Sequence, residues 1–491
     1  MGTTERTWTH EVDVVVVGSG NGGMSAAIAA ARAGARTMVV EIDKVTGGSS
    51  AMSGGGIRIG GANSYDEYLA VTHGMHDPAF SRVYFESYLR YIDWLRTIGA
   101  AIRPSPDGGI DIWMGTDRDG ASEPQCRAYF DSLERIFADA GGLLLLRARA
   151  RRILTGDDGA IVGLRAKRWT SSPFDDTGET VTIKARNVIL AAGGFQNNKE
   201  LCARYIGPEA DLISAVGSPF HRGEGMILAQ EIGASLSGSM SGIYGSHMSA
   251  FPAKRPMEDV RQWLEFGEAD RTRLFNLLWF NTPPGFIAVN LNGKRFIDEV
   301  EIRYRVSQAV ARQPRATGIM LFDQAMYDEV ADLRMLSPGT GATEAEKFEA
   351  RTALEGPTLL KADTIEELAD KLAEPGPNST YRPNLMRTIA ECHRAADARN
   401  PDLDIRRSEL RKLEKGPFYA WPFTAGVVYT MGGLAINTSA QVLDQQKLPI
   451  PGLYASPPCA GGVFRDYYGG SIASAGTFGW IAGQHAAARS A

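Results

Sequence analysis

Val12-Asp13-Val14-Val15-Val16-Val17-Gly18-Ser19-Gly20-Asn21-Gly22-Gly23-Met24 opens the part of the chain that decides its fold. A run of β-branched residues, suited to a strand buried on both faces, breaks into Gly18-x-Gly20-x-x-Gly23. An Ala-rich helix is expected from Ser25 to Ala33, capped by Gly34. Thr37-Met38-Val39-Val40-Glu41 reads as a second strand ending in an acid. This order fits a dinucleotide site. Gly18 permits a tight turn, Gly20 lets the backbone approach a pyrophosphate, and Gly23 lets the helix pack against the strand. The helix N-terminus faces the phosphates. Glu41 stands where an acid accepts hydrogen bonds from a ribose. By itself the motif does not choose between FAD and NAD.

Outward from this stretch, 491 residues suffice for two domains or one large composite. A hydrophobic content of 44% with 22% charged residues belongs to an ordinary globular chain. A net charge of −5 gives no footprint for nucleic acid or an anionic membrane. Met1 to His10 lacks the apolar core of a signal peptide, and no apolar run reaches the length of a membrane span. The expectation is therefore a cytoplasmic protein without an integral membrane segment or a nucleic-acid partner. The four cysteines, Cys126, Cys202, Cys392 and Cys459, are far apart and form no metal-binding spacing, so no metal is expected.

The 55 glycines are concentrated at three places. The first is the opening motif. The second, Gly47-Gly48-Ser49-Ser50-Ala51-Met52-Ser53-Gly54-Gly55-Gly56, follows the second strand, where a ligand would continue along the carboxyl edge of the sheet. The third, Gly461 to Ser471, contains Asp466-Tyr467-Tyr468-Gly469-Gly470 and opens a small-residue helix reaching Ala488. Between them, helices are expected over Tyr65–Thr72, Pro78–Gly99 and Gln125–Ala140, and strands over Leu143–Leu154, Ile161–Trp169 and Thr180–Lys184. A buried strand should run through Val188-Ile189-Leu190 into Ala191-Ala192-Gly193-Gly194-Phe195. From about residue 226 to 417 the texture changes to scattered Trp and Met with acidic helices. The expected organisation is a dinucleotide domain over 1–225, a substrate or cap domain over 226–417, and the rest of the first domain over 418–491.

Together these pieces resemble the FAD-dependent fumarate reductase and 3-ketosteroid dehydrogenase superfamily. Five motifs stand in that family's order: the opening glycines, Gly47–Gly56, Ala191–Asn197, Gly293-Lys294-Arg295-Phe296-Ile297-Asp298-Glu299, and Thr430–Gly433 with Gly452–Ala455. The resemblance implies an α/β chain with a Rossmann-like (GR2-type) FAD-binding domain and an inserted α+β cap domain. It places FAD on Gly18, Gly20, Asn21, Gly22, Gly23, Glu41, Gly48, Ser49, Ser53, Gly54, Gly55, Ala192, Gly193, Gly194, Ser471 and Ile472. Ser50 stands where some relatives carry a flavin-linking His, so FAD should be non-covalent. No haem motif is present, so an external electron acceptor is expected. The family's Ala-Gly-Glu after Gly-Leu-Tyr-Ala is replaced by Ser456-Pro457-Pro458-Cys459.

The same resemblance locates the chemistry. Dicarboxylate reductases of the family grip their substrate with a His before Thr-x-Gly-Gly and an Arg in the C-terminal loop. Here Tyr429 and a Tyr of the 467–468 pair stand at those places. A phenol cannot reproduce a bidentate Arg–carboxylate pair, which disfavours fumarate. Tyr467 matches instead the ketosteroid dehydrogenase Tyr that holds a carbonyl, with Gly470 and Ser471 near the backbone N–H donor. Arg303 stands where fumarate reductases place a proton-donating Arg, and the adjacent Tyr304 is a candidate base. Trp113, Phe195 and Tyr468 are expected to wall the substrate pocket. The reading is a desaturase of a small-molecule cyclic ketone, most like the cyclohexanone dehydrogenase branch, converting cyclohexanone to 2-cyclohexenone. The alternatives are a 3-ketosteroid dehydrogenase, or a reductase of an α,β-unsaturated carboxylate with Arg303 as proton donor.

Overall fold

The computed structural model describes residues 7–59, 62, 64–72, 77–105, 109–112, 126–175, 178–250, 257–267, 270–271, 282–301, 303–331, 343, 345–347, 349, 359–373, 381–465 and 467–490. Its central sheet has six strands: β1 (Val14–Val17), β2 (Thr37–Val40), β3 (Leu143–Leu145), β4 (Asn187–Leu190), β5 (Gln441–Leu443) and β6 (Pro449–Ala455). Their spatial order is β5-β6-β4-β1-β2-β3. Every neighbouring pair is parallel except β5 with β6. One sheet is thus made from both ends of the chain, and the Val-rich run of β1 is buried on both faces at its centre, as a parallel sheet requires.

Two helices lie on this sheet and on each other. Helix α1 (Asn21–Arg32) starts four residues before the expected Ser25, so Gly22 and Gly23 are its first turn. Helix α3 (Ser471–Ser490) closes the chain, and α2 (Pro78–Thr97) packs beside it. Small residues set the α1–α3 distance. A Cβ on Gly479 would stand 2.1 Å from the carbonyl oxygen of Gly22, and one on Gly483 would stand 2.2 Å from that of Ala26. Asn21 fastens the same junction. Its Nδ2 donates to the Ile472 carbonyl at 2.8 Å, and its Oδ1 accepts from the Tyr129 hydroxyl at 2.8 Å.

A second sheet carries Ala148–Thr155, Ile161–Arg168 and Glu179–Lys184 as an antiparallel meander, with His10–Glu11 parallel at its edge. The expected single strand over Leu143–Leu154 is two strands in two sheets. Arg147, at φ 55°, turns the chain between them, its N–H held by the Asp43 carbonyl at 3.0 Å. The run of four leucines ends at Leu146 and an Arg/Ala alternation begins at Arg147, where the break falls.

The inserted segment forms a third sheet around the long strand Phe418–Thr430. Ile243–Ser249, Gly318–Asp323, Leu360–Ala362 and Ser214–Ala215 all pair with it, and Ile287–Asn290 extends the sheet. The strand that begins at 418 therefore bonds within the inserted sheet. The return to the central sheet comes only at β5, and the boundary drawn between 417 and 418 divides elements that are hydrogen-bonded together. Beneath this sheet Glu299 is buried between Arg295, at 2.6 Å, and Arg407, at 3.3 Å. No described helix is long and apolar enough to cross a membrane.

Because Gly479 lies against backbone, which cannot rotate away, Gly479→Val should force α3 off α1. The expected cost is about 1–3 kcal/mol, read as a lower denaturation midpoint together with lost cofactor. An unchanged midpoint would show that the helix contact does not set stability.

Candidate active site

The carboxyl ends of β1, β2, β4 and β6 open onto one cavity, lined at those points by Val17, Val40, Ala191 and Pro457. It holds about 1140 Å³ of empty space, open solvent at its mouth included. This is the crevice where open α/β sheets bind ligands. Of the residues expected there, Gly18, Gly20, Asn21, Gly22, Glu41, Gly48, Ser49, Ser53, Ala192, Gly193, Ser471 and Ile472 line it. Gly23, Gly54, Gly55 and Gly194 are not part of its wall.

Three glycines of the first turn stand in different surroundings. Gly18 has φ 99°, and a Cβ there would lie 2.4 Å from the Ala191 carbonyl oxygen. A Cβ on Gly23 would lie 1.9 Å from the carbonyl oxygen of Gly18, so only glycine lets the helix start this close to the strand. Gly20 differs. The nearest protein atom to a Cβ there is Ser50 Oγ at 3.7 Å, so the side chain would project into open cavity. The protein leaves this space for something other than itself. Gly20, the N-cap of α1, has no side chain to cap it; the Asn21 N–H donates to Ser50 Oγ at 3.3 Å, and the helix start otherwise faces that space, as for an anion.

Glu41 closes one end. Its Oε2 accepts from the Ser19 N–H at 2.7 Å and the Ser19 hydroxyl at 2.6 Å, and its Oε1 accepts from the Asp43 N–H at 2.8 Å. Burial raises its carboxyl above the ordinary range despite these donors. Oε2 is filled by its two donors, and Oε1 keeps a lone pair for a further donor. The Gly47–Gly56 stretch is not a linker. It forms a 3₁₀ turn over Gly48–Met52, and the Ser49 hydroxyl accepts the Ser218 N–H at 2.9 Å.

Tyr429, Ser471 and Ile472 also line the cavity. Tyr429 is buried, which holds its phenol well above the usual value. Tyr468 stacks on Tyr244 with ring centroids 3.6 Å apart and planes 11° apart. Its hydroxyl accepts the Ser471 N–H at 2.9 Å. The backbone N–H expected near a substrate carbonyl is thus engaged by Tyr468. Tyr467 is half-buried, and burial raises its phenol; it does not belong to the wall of this cavity. Gly470, at φ 101°, packs on the Arg58 carbonyl. Phe195 does not wall a pocket. It is 1% exposed and packs against Tyr205 in the core. Arg303 and Tyr304 open the helix Arg303–Val310, one turn before Ser307, whose hydroxyl donates to the Ser246 carbonyl at 2.9 Å. Their side chains, and the whole of Trp113, lie outside the described residues.

The structure adds a group that sequence reasoning passed over. His221 lines the cavity beside Gly193. Gln196 Nε2 donates to the Val428 carbonyl at 2.8 Å and also meets His221 Nδ1 at 2.7 Å. An amide nitrogen only donates, so Nδ1 accepts and the ring proton sits on Nε2. Burial depresses the imidazole to about 4, which keeps it neutral. A signal was available, because Gly217 and Gly223 precede the helix Glu224–Gln230 and Gly225 lies in its first turn, much as glycines surround the start of α1.

This fold and cavity define a dinucleotide-binding flavoprotein. Residues 13–476 match the FAD binding domain family, and the chain belongs to it. It is 30% identical to urocanate reductase of Eggerthella lenta over 98% of this chain and 75% of that protein. It is 25% identical to 3-oxosteroid 1-dehydrogenase of Mycolicibacterium smegmatis over 98% of each. Among solved structures, 3-ketosteroid Δ1-dehydrogenase from Sterolibacterium denitrificans shares the fold with a TM-score of 0.72 at 21% identity, covering 98% of this chain and 100% of that one. The protein is an FAD-dependent oxidoreductase of the fumarate reductase and ketosteroid dehydrogenase family. The open face of Gly20, the uncapped start of α1 and the buried acid fit FAD.

Two outcomes follow. Gly20→Ala should fold normally but weaken FAD binding tenfold or more, whereas Gly23→Ala should lower the stability of the apoprotein itself. Equal stability losses in the two variants would refute the division of roles, and calorimetry with FAD titration reads both. Separately, His221 is neutral in the folded chain and titrates near 6.5 once unfolded. Its stabilisation is complete above about pH 6.5 and drains as pH falls from there towards 4. The denaturation midpoint of the wild type should fall between pH 7 and pH 5 more steeply than that of His221→Gln; parallel curves would remove His221 as the cause.

Proposed function

We propose that the enzyme removes two hydrogens from an uncharged cyclic ketone, of the size of cyclohexanone, to give the α,β-unsaturated ketone. One observation carries this reading. Among the described residues no Lys or Arg lines the cavity, and its wall includes Tyr429 and Ser471. A carboxylate substrate calls for a cationic grip, whereas a neutral carbonyl needs only a positioned donor.

In this reading FAD, when bound, accepts the hydride that leaves the β-carbon. Tyr467 holds the carbonyl oxygen. Burial keeps its phenol protonated at neutral pH, so it donates and does not act as the base. Tyr304, the residue after Arg303 in the chain, takes the α-proton. Tyr429, held protonated by burial, shapes the pocket without exchanging a proton. The aromatic group of Tyr244, Tyr429, Phe464 and Tyr468 narrows the site towards a small ring. A second reading has the kinship with urocanate reductase in its favour: reduction of an α,β-unsaturated acid, with Arg303 giving the proton.

Anaerobic mixing separates these. Cyclohexanone should bleach the visible absorption of the oxidised flavin, and Tyr467→Phe should slow that by about 10²–10³-fold. Bleaching by a 3-ketosteroid alone would defeat the small-ring assignment. Reoxidation of the reduced enzyme by urocanate or fumarate, abolished in Arg303→Lys, would establish the reductase in its place.

A further inference from the structure

With Glu41 as the acid that would meet a ribose and Gly18–Gly22 as the turn that would meet the pyrophosphate, the isoalloxazine end of FAD would be held by the remaining wall, which includes Tyr429, Ser471 and Ile472. At that end the hydrogens can be followed atom by atom. The Ser471 N–H donates to the Tyr468 hydroxyl at 2.9 Å, and that hydroxyl donates its only hydrogen to Ser471 Oγ at 2.7 Å. Ser474 Oγ donates to the Ser471 carbonyl at 3.1 Å. Ser471 Oγ is therefore an acceptor towards Tyr468, and its own hydrogen is directed elsewhere. The residue lines the cavity. We propose that the Ser471 hydroxyl, oriented by Tyr468, donates a hydrogen bond to the isoalloxazine end of FAD and raises the flavin's midpoint potential.

The physical reason is differential bonding. Reduction adds electron density to the ring, and a donor binds the richer acceptor more strongly. The N–H to O–H to O–H relay polarises each member, so Tyr468 strengthens the donor as well as aiming it. Ser471 touches the cofactor in this account and Tyr468 is a positioning residue. Its stack on Tyr244 survives replacement by Phe, so only the hydroxyl is tested. This role concerns the cofactor and is independent of the substrate.

The test is spectroelectrochemical titration of substrate-free holoenzyme, with FAD content and thermal stability recorded for each variant. Ser471→Ala should shift the two-electron reduction constant at least tenfold towards the oxidised form, a fall of about 30 mV. Ser471→Thr, which keeps the hydroxyl, should stay within threefold of wild type. Tyr468→Phe should shift the same way by less, and add nothing to Ser471→Ala in the double variant. An unchanged potential in Ser471→Ala overturns the proposal. A raised potential in Tyr468→Phe also overturns it, because the freed Ser471 N–H would then be the stronger donor. If Tyr468→Phe does not fold, the Ala and Thr replacements at 471 decide the matter.

Discussion

The carbonyl oxygen of Gly22 faces Gly479, and that of Ala26 faces Gly483, each at a distance no side chain could share. This backbone contact between the first helix and the last is what the rest of the molecule depends on. It brings two ends separated by more than four hundred residues into one structure. It also sets the start of α3 beside the start of α1, where Asn21 bonds to the Ile472 carbonyl. Two helix N-termini thus converge on one cavity, the Ser471 N–H held by the Tyr468 hydroxyl and the Asn21 N–H by Ser50 Oγ. Any wider spacing would pull Ser471 away from the glycine turn and divide the site.

The second constraint is electrostatic. At one end a carboxyl is buried and bonded by Ser19 and Asp43; at the other, phenols are buried enough to stay protonated. Between them stands a neutral imidazole with a defined tautomer. The cavity wall therefore offers mostly donors and acceptors of fixed state across the physiological range. Such a wall recognises a ligand by its hydrogen-bonding pattern more than by net charge, which suits a flavin and a neutral ketone alike.

Much of the cofactor site was legible because each residue's role is local. Gly18, Gly20 and Gly23 announce a turn, an open face and a close helix, and Glu41 follows at the strand end. Where the reading failed, the missing information was spatial. Leu143–Leu154 reads as one strand although its four leucines give way at Arg147 to an Arg/Ala alternation; that no glycine marks the left-handed turn there hides the break. Phe195 sits one residue beyond the glycines, yet its side chain turns into the core against Tyr205. His221 was passed over because a lone His carries no motif; its meaning comes from Gln196, twenty-five residues earlier.

By itself, the sequence determined a dinucleotide fold, its glycine turn and its acid, since turn geometry and helix packing depend on residues a few positions apart. The expectation that the tyrosines of the C-terminal loop stand at the reacting end came from the family resemblance and not from their spacing. Only the tertiary structure decided what those groups do with their hydrogens. Tyr468 captures the Ser471 N–H and points the serine hydroxyl away, and the strand from Phe418 bonds into the inserted sheet. These outcomes depend on distances between segments far apart in the chain, which residue spacing does not encode and close packing does.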